Sequence, residues 1–313
     1  MSQVNEQTRD LAAGAAPRRQ RSAQSVEAAT AYLFVTPATL LLFLLLLGPA
    51  ASVIALSFTD WQFGSKTFEF VGFANYAEMF QDDVFWTSIT NTLIYVSVVV
   101  VGSVSLGLMI AMLIESRRSF RRVWRTIYFL PVTATLVAMA LVFEYILHPA
   151  FGPLNEFLGL FGVEGTNWLQ NRSTALLTLC GIGIWQAVGF NMVLFLAGLT
   201  AIPTDLYDAV AIDGSDSTWD RFRIVVWPLL GPTTMFVVII SCIRSFQVFD
   251  TVKVLTDGGP NRATEVLLFT MFSEGFTYFR SGYAAALTTI FLIFVLILTL
   301  VQRISIEKRI HYG

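Results

Sequence analysis

Charge is what this sequence has least of. Asp, Glu, Lys and Arg make up 13% of its 313 residues, against roughly a quarter in soluble domains. Cysteine is as scarce: Cys180 and Cys242 stand alone, which excludes a disulfide framework and a cysteine-based zinc site. The two histidines, His148 and His311, lie far apart in the chain and give no basis for a metal centre. Net charge is −2, so the basic excess that binds nucleic acid is missing. The only lysines, Lys66, Lys253 and Lys308, follow Ser65, Val252 and Glu307. None ends a Gly-Lys-Ser/Thr phosphate loop, so the chain carries no ATPase motif of its own. Convergent catalytic groups are lacking too, since the apolar stretches offer only an edge Glu144 and Arg244; an enzyme site needs several such groups at one depth.

What the chain has in place of charge is hydrophobic length. Acids and bases are absent from residues 28–59, 84–114, 126–143, 173–204, 224–243 and 281–302. Crossing about 30 Å of hydrocarbon takes about 20 helical residues, and the alternation expected of barrel strands is absent. The expected fold class is therefore all-α integral membrane, with six transmembrane helices. Residues 1–30 are polar and read as a disordered tail; residues 31–303 form the membrane domain, and 304–313 a second tail. The run Ala31–Phe58 is far longer than the 7–15-residue apolar core of a cleaved signal, so it is expected to stay as an anchor.

Basic residues orient the chain. With the N-terminus in the cytoplasm, Arg9, Arg18, Arg19, Arg21, Arg117, Arg118, Arg121, Arg122, Arg125, Arg221, Arg223, Arg303, Lys308 and Arg309 fall inside. Only Lys66, Arg172, Lys253, Arg262 and Arg280 fall outside. The positive-inside rule then places both termini in the cytoplasm.

Between the fourth and fifth spans lies a structured loop, residues 203–228. Thr204 caps a short helix, Asp205 and Asp208 occupy its dipole-favoured first turn, and Gly214 stops it. A second short helix opens at Ser217 or Thr218 and is expected to break at Pro228. The first helix carries Leu206, Ala209, Val210 and Ile212. That apolar surface could lie on the membrane, fold onto the chain's own helices, or dock into another protein. Its acids disfavour anionic lipid, and docking into a partner's groove leads.

This loop resembles the Glu-Ala-Ala motif of permease subunits in bacterial binding-protein-dependent ABC importers, especially those for carbohydrates. Asp208-Ala209-Val210 stands for Glu-Ala-Ala, Asp213-Gly214 matches the usual Asp-Gly, and Trp219, Phe222, Val225 and Pro228 follow in order. It departs in Asp for Glu, Val for Ala, Trp227 for Leu, and one extra residue after Gly214. Text typical of the group also stands at Phe70–Tyr76, Asn91-Thr92, Gly152-Pro153-Leu154-Asn155, Leu196–Pro203 and Phe249–Pro260. The resemblance implies a type I importer permease fold in a bacterial inner membrane. It implies a second permease subunit, two ATPase subunits that use ATP and Mg and receive the loop around Gly214, and an extracytoplasmic solute-binding protein. No cofactor is expected on this chain, and its lipid contact is the bilayer itself. A channel or secondary transporter would leave the loop unexplained.

Polar groups inside a membrane tend to face a cavity or a partner helix. Gln186 and Phe190 share a face of the fourth span; Ser241, Arg244 and Ser245 share one of the fifth, with Gln247 adjoining. Family resemblance places the solute pocket on these two spans. An aromatic ring with amides and hydroxyls suits a sugar or oligosaccharide, but the same groups could simply tie helices together. Arg244 could neutralise an anionic solute such as glycerol 3-phosphate, pair with Glu144 or Asp250, or snorkel to an interface.

Overall fold

The computed structural model describes residues 16–116, 121–212 and 217–309, and its described elements are helical apart from one antiparallel bridge, Thr59 to Phe70. Residues 1–56 form one unit and residues 57–313 another. The first unit is a single helix, α1, running Ala16–Leu42, then through a π-turn at Phe43–Leu47 and on through Gly48–Leu56. It starts well inside the stretch that composition assigns to a polar tail.

The second unit opens with α2 (Ala74–Gln81) and the long α3 (Asp83–Ser116). There follow α4 (Arg121–Thr133), α5 (Leu136–Ile146), α6 (Pro153–Gly159) and α7 (Ala175–Thr200). Then come α8 (Thr204–Ile212), α9 (Thr218–Arg221, extended through Phe222–Val226 and Trp227–Leu229) and α10 (Gly231–Phe246). The unit closes with α11 (Asp250–Leu255), α12 (Leu267–Phe272, extended through Ser273–Thr277) and α13 (Ser281–Arg309). Among the described residues, five helices are long and apolar enough to cross a membrane, or six if one bent pair counts as a single span.

That pair is α4 and α5, where the third apolar window was expected to form one helix. They meet at 99°. Pro131 lies inside α4 and cannot donate to the carbonyl one turn back, which weakens the last turn. The backbone then bends at Ala134, and Thr135 is extended (φ −68°, ψ 134°).

Pro228 was expected to break the second loop helix; the helix passes the proline and ends one residue later, at Leu229, with a turn at Leu230 before α10. Trp227 N–H donates to the Phe222 carbonyl, five residues back, so the turn is widened just before the proline. The widened turn makes room for the ring, so the proline is accommodated within α9. Gly48 N–H to Phe43 O, just before Pro49, repeats the device in α1.

The centre of the second unit is a close pairing of α3 and α7. Small residues allow it: a Cβ on Gly107 would fall 2.8 Å from Asn191 Cβ, and one on Gly102 would fall 2.6 Å from Ile184 Cδ1. Without a hydrophobic force between helices in lipid, such backbone approach is what association uses. Gly189 brings α4 equally close, because its Cβ would collide with the Tyr128 carbonyl. At one end, Tyr95, Val99, Leu179, Val252 and Phe269 share a core. Towards the other, Met192, Phe195, Val225, Leu230 and Val237 share a second.

The end where α3 and α7 begin is closed by side chains that hold loops. Asn75 Nδ2 donates to the Ser57 and Thr59 carbonyls, both at 2.8 Å. Asn155 accepts from Trp168 Nε1 at 2.8 Å. Asn91 Nδ2 donates to the carbonyls of Arg262 (3.1 Å) and Glu265 (2.9 Å), and Thr92 Oγ1 accepts from Leu267 N–H at 2.9 Å. Gly258 has φ +80°, and a Cβ there would press on the Phe269 ring and the Glu265 carboxylate; only glycine suits this turn. Arg280 pairs with both Glu78 and Glu274. Burial raises the Glu265 carboxyl above its ordinary value, against a hydrogen bond from Thr270. It does the same to Glu274, against Arg280.

Two outcomes follow from this packing. Gly189→Leu should lower the thermal unfolding temperature in detergent, an overpacking cost of about 1–3 kcal/mol; an unchanged temperature would mean that α4 does not abut α7. A raised carboxyl binds its proton more tightly folded than unfolded, so Glu265 adds stability below its unfolded value and loses it as pH climbs through the raised one. The unfolding temperature should therefore gain from Glu265 as pH falls through that raised value, and Glu265→Gln should remove the gain.

Candidate functional site: a polar cavity at a broken span

One cavity of about 330 Å³ gathers all six of the polar and aromatic residues expected on the fourth and fifth spans: Gln186, Phe190, Ser241, Arg244, Ser245 and Gln247. Tyr95, Asn191 and Asp250 line it as well, together with Val132 and Leu136. The last two flank the break between α4 and α5. Irregular backbone at membrane depth is tolerated where it borders a cavity or is buried in protein. The bend and the cavity thus share one location.

The polar groups divide into two kinds. Ser241 and Asn191 are buried, and Ser241 Oγ donates to Asn191 Oδ1 at 3.0 Å. Asn191 Nδ2 in turn donates to Ser103 Oγ at 3.1 Å. This chain of bonds joins α3, α7 and α10, so the Ser241 hydroxyl is committed to holding helices. Asn191 and Ser103 escaped sequence reasoning, although an amide inside an apolar stretch is itself a signal of a buried partner. Gln186, Gln247 and the Tyr95 hydroxyl make no side-chain hydrogen bond among the described residues and remain available.

Arg244 lies with its guanidinium 3.9 Å from the centre of the Phe190 ring. This is a cation–π contact between the two expected pocket residues that differ most in character. Neither Glu144 nor Asp250 is within 4.0 Å of it among the described ion pairs, although Asp250 lines the same cavity. Arg244 therefore presents an unneutralised fork beside an aromatic face.

The loop helix α8 forms where expected, with Asp205 in its first turn. Its apolar side chains do not all face out. Val210 is 8% exposed and belongs to the same buried core as Leu199, Val225 and Leu230, which corrects its reading as part of the outward surface. Leu206 and Asp208 are exposed, and Ile212 is 85% exposed. Trp219 on α9 is exposed beyond them. Half-burial of Tyr207 raises its hydroxyl above the ordinary value. Asp213 and Gly214 lie outside the described residues, as does the Ala209 side chain.

This arrangement has counterparts. The profile of a family described as binding-protein-dependent transport system inner membrane component matches residues 103–311. A probable ABC transporter permease protein of Pyrococcus horikoshii is 34% identical over 270 residues, covering 86% of this chain and 92% of its own. The permease protein of the sn-glycerol-3-phosphate transport system of Agrobacterium fabrum is 30% identical over 284 residues, covering 90% and 96%. Among solved structures, a bacterial ABC transporter involved in import of the acidic polysaccharide alginate matches with a TM-score of 0.81 at 20% identity. It covers 92% of this chain and 99% of that one, and at that identity the likeness is one of fold.

Proposed function

Because this chain belongs to the binding-protein-dependent transport system inner membrane components, we propose that it is one permease half of an ATP-driven importer for a sugar or oligosaccharide. The observation that carries this reading is the single cavity where Gln186, Phe190, Ser245 and Gln247 face one another across α7 and α10. An aromatic face takes the CH side of a pyranose, while free amides and hydroxyls exchange for its hydration. The cavity also holds one Arg and one Asp, so it suits a hydroxylated solute without excess charge.

In this reading the energy comes from outside the chain, from two ATPase subunits holding ATP and Mg. They would grip the cytoplasmic loop through Leu206, Asp208, Asp213, Gly214, Ile212 and Trp219. Val210, seated in the bundle, would pass their motion to α7 and α9. A second permease subunit would complete the pathway, an extracytoplasmic binding protein would deliver the solute, and both termini would lie in the cytoplasm.

A second reading is favoured by Arg244. Its fork has no carboxylate in contact among the described residues, and the Agrobacterium relative serves glycerol 3-phosphate. An anionic sugar-like solute would place its charge there.

Two measurements test these readings. Purified from its own membrane, the chain should bring an ATPase with it, and Ile212→Asp should abolish that association and uptake while the fold persists. Uptake by a chain free of any ATPase would refute the importer reading. Arg244→Ala should reduce uptake of an anionic sugar by about tenfold, the weight of one charged hydrogen bond, and leave a neutral sugar nearly untouched. Equal losses for both solutes would assign Arg244 to structure.

A further inference from the structure

Away from the polar cavity, two recesses meet at the Leu177 side chain. One, of about 480 Å³, is lined by Arg172 and Arg262 with Asn91, Ser173 and Asn261. The other, of about 580 Å³, is almost wholly apolar and is lined by Met139, Phe143, Ile146, Gly181 and Trp185. Leu177 lines both.

Their placement along α7 is informative. Arg172 lies just before the first residue of α7, and Leu177 lies in its first turn. Gly181 and Trp185 follow one and two turns further along the helix. The basic recess therefore sits where a span leaves the hydrocarbon, and the apolar one extends into it.

Both arginines are exposed and, among the described residues, free of ion pairs. Neither has a carboxylate within 4.0 Å among the described ion pairs. Arg262 acts on the Glu265 carboxyl without forming an ion pair with it, and that carboxyl accepts from Thr270 Oγ1 at 3.0 Å. Asn261 (φ 47°) and Arg262 (φ 60°) both adopt the left-handed region, a costly arrangement for two adjacent non-glycine residues. Asn91 anchors it by donating to the Arg262 carbonyl at 3.1 Å. Two arginine forks at a membrane boundary suit a phosphate group. A groove of Met, Phe, Ile and Trp side chains has nothing to offer water and suits an acyl chain.

We propose that the joined recesses bind an anionic phospholipid, its phosphate between Arg172 and Arg262 and one acyl chain along the groove past Leu177 and Gly181. A soluble phosphate could satisfy the arginines alone, but it would leave the apolar groove unused. The groove is therefore what commits the site to lipid. Bound there, the lipid would brace α5 against α7 beside the bend that borders the polar cavity.

Native mass spectrometry of the detergent-purified transporter, titrated with phosphatidylglycerol or phosphatidylcholine of matched chains, tests this directly. Wild type should retain phosphatidylglycerol preferentially. Arg172→Gln with Arg262→Gln should lower that retention by about fivefold per arginine, the weight of one basic side chain at an anionic surface. Arg172→Lys with Arg262→Lys should keep most of it, which guards against a folding defect in the glutamine pair. Gly181 is exposed and lines the groove, with no atom within 4 Å of an added Cβ, so Gly181→Met should occupy groove space and lower retention of both lipids. Equal retention of the two lipids by wild type overturns the proposal, as does unchanged retention in the glutamine pair. Displacement of phosphatidylglycerol by inorganic phosphate, with Gly181→Met silent, also overturns it and leaves a site for a soluble anion.

Discussion

A backbone in hydrocarbon has no water to satisfy its polar groups, so it must stay helical or border a cavity. The break between α4 and α5 is where this chain meets that constraint and makes use of it. Pro131 removes a donor, Ala134 and Thr135 leave the helix, and the flanking Val132 and Leu136 line the polar cavity. Bent helix pair and polar cavity are thus two sides of one arrangement, since irregular backbone at membrane depth needs a cavity or protein beside it. The Ser103–Asn191–Ser241 bonds then fix the facing wall. Interhelical bonds of this type contribute modestly, on average about 0.6 kcal/mol, so their value lies in fixing rotation as much as in stability. With α7 held in register, Gln186, Phe190 and Arg244 point into one space.

The loop between α7 and α10 is built to be both anchored and open. Val210 joins the core at one end of the bundle while Ile212, two residues on, is exposed. A helix wholly in solvent would swing freely, and one wholly packed would offer nothing to a partner. The π-turn at Phe222–Val226 carries the chain through Pro228 without a break. The proline therefore sits inside α9, and the turn that separates α9 from α10 falls at Leu230.

The text shared with carbohydrate permeases outside that loop turns out to be scaffolding. Asn75, Asn91, Thr92, Asn155 and Gly258 hold loop carbonyls, accept loop N–H groups or permit a left-handed turn. They therefore identify the fold more than the solute. The residues that line the polar cavity are few, and no short motif marks them.

Much of this protein was determined by its sequence alone. The six uncharged windows, the helical class, the acidic loop helix and the six polar and aromatic residues that share one cavity are all legible there. Hydrophobic length and the spacing of polar groups are one-dimensional properties, and the membrane converts them directly into spans. Tertiary structure alone decided that the third window bends by 99°, that Val210 faces inward, and that the Ser241 hydroxyl is bonded to Asn191. It also decided that Arg244 lies over Phe190 rather than against Glu144 or Asp250. Each of these depends on which groups meet across helices. In a chain this uniformly apolar, those meetings are set by where small residues let backbones approach, and no single segment carries that information.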